Sequence, residues 1–114
     1  PATKQRYRLD PDVKRHMGDV LTALFIADED GFFQEPVDPA LAPGYASVVK
    51  HPMDIGTVRQ RFEQRLYKGI DDMCSDINLC LDNCELYNEP DSYVVERARH
   101  LRARLGEELC RQEA

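Results

Sequence analysis

Four cysteines, three histidines and a group of helix-borne acids are the side chains on which catalysis or metal binding would have to rest. Cys74, Cys80, Cys84 and Cys110 contain no Cys-x-x-Cys pair, and His16, His51 and His100 stand at no zinc-ligand spacing from them. Cys80 and Cys84 are four apart and share a face of any helix, so they read as reduced thiols packed among apolar neighbours. A reducing compartment is then expected. Asp71, Asp72 and Asp76 place carboxylates on one helical face, a pattern that usually marks a solvated surface. No nucleophile–base arrangement and no glycine-rich phosphate loop accompanies them. Neither catalysis nor a metal or cofactor is expected. Asn88 is different: its carboxamide can donate to a neutral acceptor without introducing a charge. In Tyr87-Asn88-Glu89-Pro90 the same side chain also reads as a turn residue capping the following helix.

These residues need elements to position them, and helical periodicity supplies four. The first starts at Asp10-Pro11, an N-cap followed by proline at the first helical position, and carries Val13, Met17, Val20, Leu21 and Leu24 as one apolar stripe. Asp28-Glu29-Asp30-Gly31 ends it. The second begins after Asp54, with Ile55, Val58 and Phe62 on one face. The third runs from about Gly69 to Tyr87 with Ile70, Met73, Ile77, Cys80, Leu81, Cys84 and Tyr87 inward. The fourth follows Asp91 or Ser92 and shows Val94, Val95, Ala98, Leu101, Leu105 and Leu109. No sustained two-residue alternation argues for a strand.

The connections are unequal. Residues 28–53 hold four of the seven prolines together with Phe32, Phe33, Val37, Leu41 and Tyr45, too apolar for a solvated linker. A connection that long in a compact domain tends to be functional, and this one is expected to fold back on the bundle. The third and fourth helices meet at the short turn Asn88-Glu89-Pro90-Asp91. The long loop and the short turn are placed to meet at one end.

Size and composition narrow the classes further. One domain is expected over residues 1–114, with its core at about 10–110. Hydrophobic residues at 42% are too many for a disordered tail. Fifteen Lys and Arg against 21 Asp and Glu, a formal charge of −6, argue against a grip on nucleic acid and fit a basic partner better. Arg97, Arg99, Arg102 and Arg104 make a local basic stretch, expected to cover the solvent face of the last helix with their stems. The longest nearly apolar run, Val20 to Ala27, is far too short for a membrane span. The chain opens at Pro1 with no signal-peptide pattern, and is expected to be a fragment cut from a larger protein.

Four motifs in order carry a resemblance: Pro36-Val37-Asp38, Pro43-x-Tyr45, Pro52-Met53-Asp54 and Tyr87-Asn88 with Pro90 after it. Together, over residues 10 to 110, they resemble the bromodomain family. The resemblance implies an all-α, left-handed four-helix bundle with a long loop between its first two helices. It also implies a non-catalytic module that binds N-acetyl-lysine, on histone tails above all, between that loop and the turn joining the last two helices. Acetylated non-histone proteins are further partners to expect. The implied module is nuclear and monomeric, and binds no nucleic acid or membrane directly. A helical interaction bundle that does not read acetyl-lysine is the alternative.

The resemblance also assigns roles. Asn88 becomes the donor to the acetyl oxygen, and the hydroxyl of Tyr45 reaches the same oxygen through an ordered water. Phe32, Phe33 and Val37 form one wall, Leu41 and Ala42 the loop side, and Tyr87 and Cys84 the helix side. Val94 stands at the mouth, where its small size leaves an open entrance. Many members carry Trp-Pro-Phe where this chain has Gly31-Phe32-Phe33, so it is closest to the subset with Gly-Phe-Phe, and its contacts to residues flanking the acetyl-lysine are expected to differ. Glu35, Asp38, Glu89, Asp91 and Glu96 are rim charges that either attract a basic tail or are simply solvated.

Overall fold

Asp10 begins the first helix as its type predicts: its carboxylate accepts the N–H of Asp12 at 2.8 Å, and Pro11 occupies the first turn, where no N–H is needed. In the computed structural model, which describes residues 5–113, that helix is α1, Pro11–Ala27. It is followed by α2 (Tyr45–Val48), α3 (Ile55–Glu63), α4 (Ile70–Tyr87) and α5 (Tyr93–Glu113). The architecture is a four-helix bundle of α1, α3, α4 and α5, with the short α2 inside the long connection. No strand occurs among the described residues. No helix there is long and apolar enough to cross a membrane.

The core is the set the periodicity predicts, with a few changes. Met17, Val20 and Leu24 of α1 meet Ile55 and Val58 of α3, Met73, Ile77 and Leu81 of α4, and Val95, Ala98 and Leu101 of α5, all with no exposed surface. Val13 leaves the stripe: it is 37% exposed, in the first turn of α1. Cys80 and Cys84 are buried, whereas Cys110 is exposed near the end of α5, so only part of the cysteine set packs as expected. All four thiols are free. The turn between α4 and α5 closes one residue later than its sequence suggests, with the Ser92 N–H donating to Glu89 O at 3.0 Å.

Ion pairs fix the helix register. Arg97 is mostly buried; its Nη2 donates to Ala27 O at 3.0 Å, so the start of α5 meets the end of α1 and the two run antiparallel. Arg102 reaches across to Asn78, Asp82 and Glu85 of α4 at 2.8–2.9 Å. These two arginines clamp helices together, where all four of the stretch were expected to lie along the solvent face of the last helix. Asp76 is likewise committed, accepting from Arg61 at 2.8 Å and from the Tyr67 hydroxyl at 2.7 Å. Burial, then the bond to Asp76, holds that phenol well above its usual range.

Candidate functional site

The long connection is ordered from its first residue. Asp28 is 3% exposed, and its two carboxylate oxygens accept the N–H groups of Phe32 and Phe33 at 3.0 and 2.9 Å. The reversal this requires passes through Gly31 at φ 71°, a left-handed conformation that glycine adopts without steric cost. Phe33 then turns inward, and its carbonyl accepts from Ile55 N–H at 2.7 Å. One residue on, Gln34 O lies so close to Gly56 that a Cβ there would sit 2.2 Å away, so α3 must start with glycine at that position. The far end of the loop is tied to α4. Asn83 Nδ2 donates to His51 O at 2.8 Å, and the Tyr87 hydroxyl donates to Pro43 O at 2.8 Å.

Between these ties lies a cavity of about 60 Å³, room for a few water molecules or one short acyl group. Of the predicted set, Phe32, Phe33, Val37, Tyr45, Cys84, Asn88 and Val94 line it. Phe33 and Tyr45 are buried, while Phe32 and Val37 are exposed at its edge. Three predicted residues do not reach it. Leu41 is 83% exposed and lies on the outer side of the loop. Ala42 serves the backbone instead, its carbonyl accepting the Tyr45 N–H that starts α2. Tyr87 backs the cavity, its ring edge-to-face with Tyr45 at 4.9 Å between centroids.

Met53, Asp54, Cys80 and Glu35 complete the lining. Cys80 was detectable as the residue one turn before Cys84 on the same helix face. Asp54 was legible as a helix cap. It has that role here: one oxygen accepts the Thr57 N–H at 2.9 Å and the other the Thr57 hydroxyl at 2.6 Å. Asp28, which shapes the whole entrance, reads in sequence only as part of an acidic run that ends a helix.

Apart from the carboxylates of Asp54 and Glu35, the polar groups of the cavity are neutral. Asn88 is the C-cap of α4, and its Nδ2 donates to Cys84 O at 3.0 Å and approaches Cys84 Sγ at 3.7 Å. A carboxamide nitrogen carries two hydrogens, so this anchoring orients the group and leaves a second donor. Asn88 therefore caps the preceding helix α4 and not the following one that its turn position suggests, and this leaves its second N–H available as a donor. Burial raises the Tyr45 phenol, helped by the nearby Cys80 and Cys84. Burial likewise pushes the Cys80 thiol up to about 12. Cys84 is raised by burial against the opposing bond from Asn88. All three keep their protons at neutral pH. Among the described residues no group of three or more His, Cys, Asp or Glu side chains is placed to hold a metal ion.

Comparison with known proteins identifies the family. The family model described as Bromodomain matches residues 19–100. This chain is a bromodomain. It is similar to Bromodomain-containing protein 9 of Mus musculus, 36% identical over 89 residues, which is 78% of this chain and 15% of the relative. The human protein of the same name is 39% identical over 74 residues, 65% of this chain and 12% of the relative. Bromodomain adjacent to zinc finger domain protein 2B of Homo sapiens is 34% identical over 83 residues, 73% of this chain and 4% of the relative. The chain thus spans under a sixth of the curated relatives it matches. Bromodomains are acetyl-lysine reader modules, and this one carries the all-helical fold of the family.

The entrance of this bromodomain departs from a Trp-Pro-Phe shelf in a definable way. Phe32 packs edge-on against Phe33 and against Tyr93 of α5, with centroids 6.3 and 5.9 Å apart. The Tyr93 hydroxyl donates to Asp30 at 2.8 Å, tying that aromatic pair to the loop.

Proposed function

We propose that this bromodomain binds N-acetyl-lysine of histone tails in the cavity between the long connection and the α4–α5 turn. The observation that carries the reading is the anchored Asn88 amide lining a largely apolar cavity. Its remaining N–H donates to the acetyl oxygen, and the Tyr45 hydroxyl reaches the same oxygen through an ordered water. Phe33, Val37, Cys84 and Val94 enclose the methyl group and the lysine stem, with Phe32 at the entrance. The domain acts without catalysis, as one folded unit and as a monomer. Its setting is the nucleus, and acetylated non-histone proteins are further ligands.

Selectivity follows from desolvation. Unmodified lysine brings an ammonium with three donors and no acceptor to the Asn88 amide, whose free N–H is itself a donor. Burying that charge unpaired costs several kcal/mol, on the order of the whole affinity of a short peptide. Acetylation removes the charge and supplies the acceptor.

Calorimetry with matched acetylated and unmodified histone-tail peptides tests the reading. Binding is expected only for the acetylated peptide. It should weaken about 5- to 100-fold in Asn88→Ala, the cost of leaving a buried acceptor unpaired. Equal binding of the unmodified peptide, or full affinity in the variant, would overturn it.

A further inference from the structure

Among the carboxylates near the cavity, Glu35 alone lines it without a partner among the described residues. Asp54, the other acid in the lining, has both oxygens occupied by Thr57. Asp28 spends its carboxylate on Phe32 and Phe33, Asp30 receives the Tyr93 hydroxyl, and Asp38 accepts the Ala40 N–H at 2.9 Å. Glu89, Asp91 and Glu96 are exposed and stand outside the lining. Glu35 makes no hydrogen bond or ion pair with any described residue, and it is exposed. Arg97, at the start of α5, is already held by Ala27 O and lies 3.7 and 3.9 Å from Glu29 and Asp30.

The backbone that carries Glu35 is unusually well fixed for a loop. Phe33 O is bonded to Ile55 N–H, and Gln34 O is pressed against Gly56. The Gln34 side chain donates to Asp28 O at 3.3 Å, and Pro36 restricts Glu35, the residue before it. Glu35 therefore stands on a rigid strut at the rim of the site, between the cavity and the adjoining groove of Gln34, Pro36 and Gly56, and its charge is solvated until a ligand arrives. A carboxylate offers only acceptors, so what complements it is a donor, and a cation most of all.

We infer that Glu35 is a specificity residue: it pairs with an arginine or lysine of the peptide within three residues of the acetylated lysine. The inference rests on the reading of the cavity proposed above and adds a second requirement to it. An acetyl mark in a basic sequence is bound in preference to the same mark in a neutral one. The preference comes from this one carboxylate and not from the net charge of the domain.

The test is a panel of peptides with one central acetyl-lysine in a Gly/Ser background. A single arginine is walked through the three positions on each side, with norleucine as the uncharged control. Binding is measured by calorimetry on the wild-type domain and on Glu35→Gln. At one or two positions, arginine should bind about two- to five-fold tighter than norleucine, the range of a solvent-exposed ion pair. The gain should vanish in Glu35→Gln and shrink as salt is raised. Glu35→Lys should invert the preference. Because residue 35 is exposed, both variants are expected to keep the wild-type thermal transition. Three results overturn the inference alone: no position-dependent gain, a gain that persists in Glu35→Gln, or a loss in Glu35→Gln that is equal for arginine and norleucine. The last would mean that Glu35 accepts a peptide N–H. Failure of every acetylated peptide to bind the folded domain would instead overturn the reading of the cavity, and this inference with it.

Discussion

The bundle and the loop between α1 and α3 are held together by different forces, although they share one end of the molecule. In the bundle the side chains with no exposed surface are Met17, Leu24, Met73, Ile77, Leu81 and Leu101 and their neighbours, and cohesion comes from apolar area withdrawn from water. In the loop only Phe33, Tyr45 and Val49 are buried hydrophobics. Its shape is set instead by directional bonds: Asp28 to two backbone N–H groups, Phe33 O to Ile55, His51 O to Asn83, and Pro43 O to Tyr87. Apolar cohesion is non-directional and spread over many contacts, whereas each clamp is a single bond with defined geometry. Damage to the bundle should therefore act on folding, and damage to a clamp on the site.

The largest expected effect is in the bundle. Leu81→Ala should lose about 2–5 kcal/mol of stability, because the cavity it leaves adds to the lost burial. Peptide affinity per folded molecule should change little. Urea denaturation together with calorimetry on the folded fraction separates the two quantities, and a large affinity loss without destabilisation would break the contrast.

Asp28→Ala should come next. It orphans the buried Phe33 N–H and the half-buried Phe32 N–H, at a cost of roughly 1–3 kcal/mol. Unlike Leu81→Ala, it should weaken acetyl-peptide binding beyond what the folded fraction accounts for, since Phe33 and Val37 are carried on the segment it shapes. Asp28→Asn, which retains one acceptor oxygen, should recover part of that loss. Equal effects on stability and affinity would mean that the loop and the bundle form one cooperative unit.

The smallest effect should come from Tyr87→Phe. It removes a single bond to Pro43 O at a partly exposed site while leaving the ring against Tyr45. About 0.5–1.5 kcal/mol is the expected range for such a bond, and less where water can replace it. Faster amide exchange confined to the α2 region, with the α4 core unchanged, is the signature that would sharpen the comparison.

The contrast also explains what was legible before any coordinates. Helix periodicity identifies the bundle because burial is additive along a face: Met17, Val20 and Leu24 announce themselves by spacing, as do Met73, Ile77 and Leu81. Local caps are legible for the same reason, and Asp10 and Asp54 each bond within three residues of themselves. The family motifs order Tyr45 and Asn88 along the chain, and both reach the cavity. Leu41 and Ala42 show the limit. Apolar type and position in the loop suggest a wall, yet one is solvent-facing and the other is spent on a turn. The short helix α2 was equally hidden: four residues are too few for a periodic signal, and it forms where Gly44 reverses the chain and Tyr45 is buried.

What the sequence determined by itself was the all-helical class, the core faces, the capped helix starts, and the motif order that marks a bromodomain. Each depends on residues close together in the chain or on composition summed along a face. Only the tertiary structure decided which loop residues turn inward, which carboxylates are consumed by the protein, and which one is left facing the cavity. Asp28, Asp38 and Glu35 are alike as types in an acidic loop. Their partners lie two to five residues away for the first two, and nowhere among the described residues for the third. That distinction is a matter of hydrogen-bond geometry in a folded backbone, whose angular requirements no spacing rule encodes.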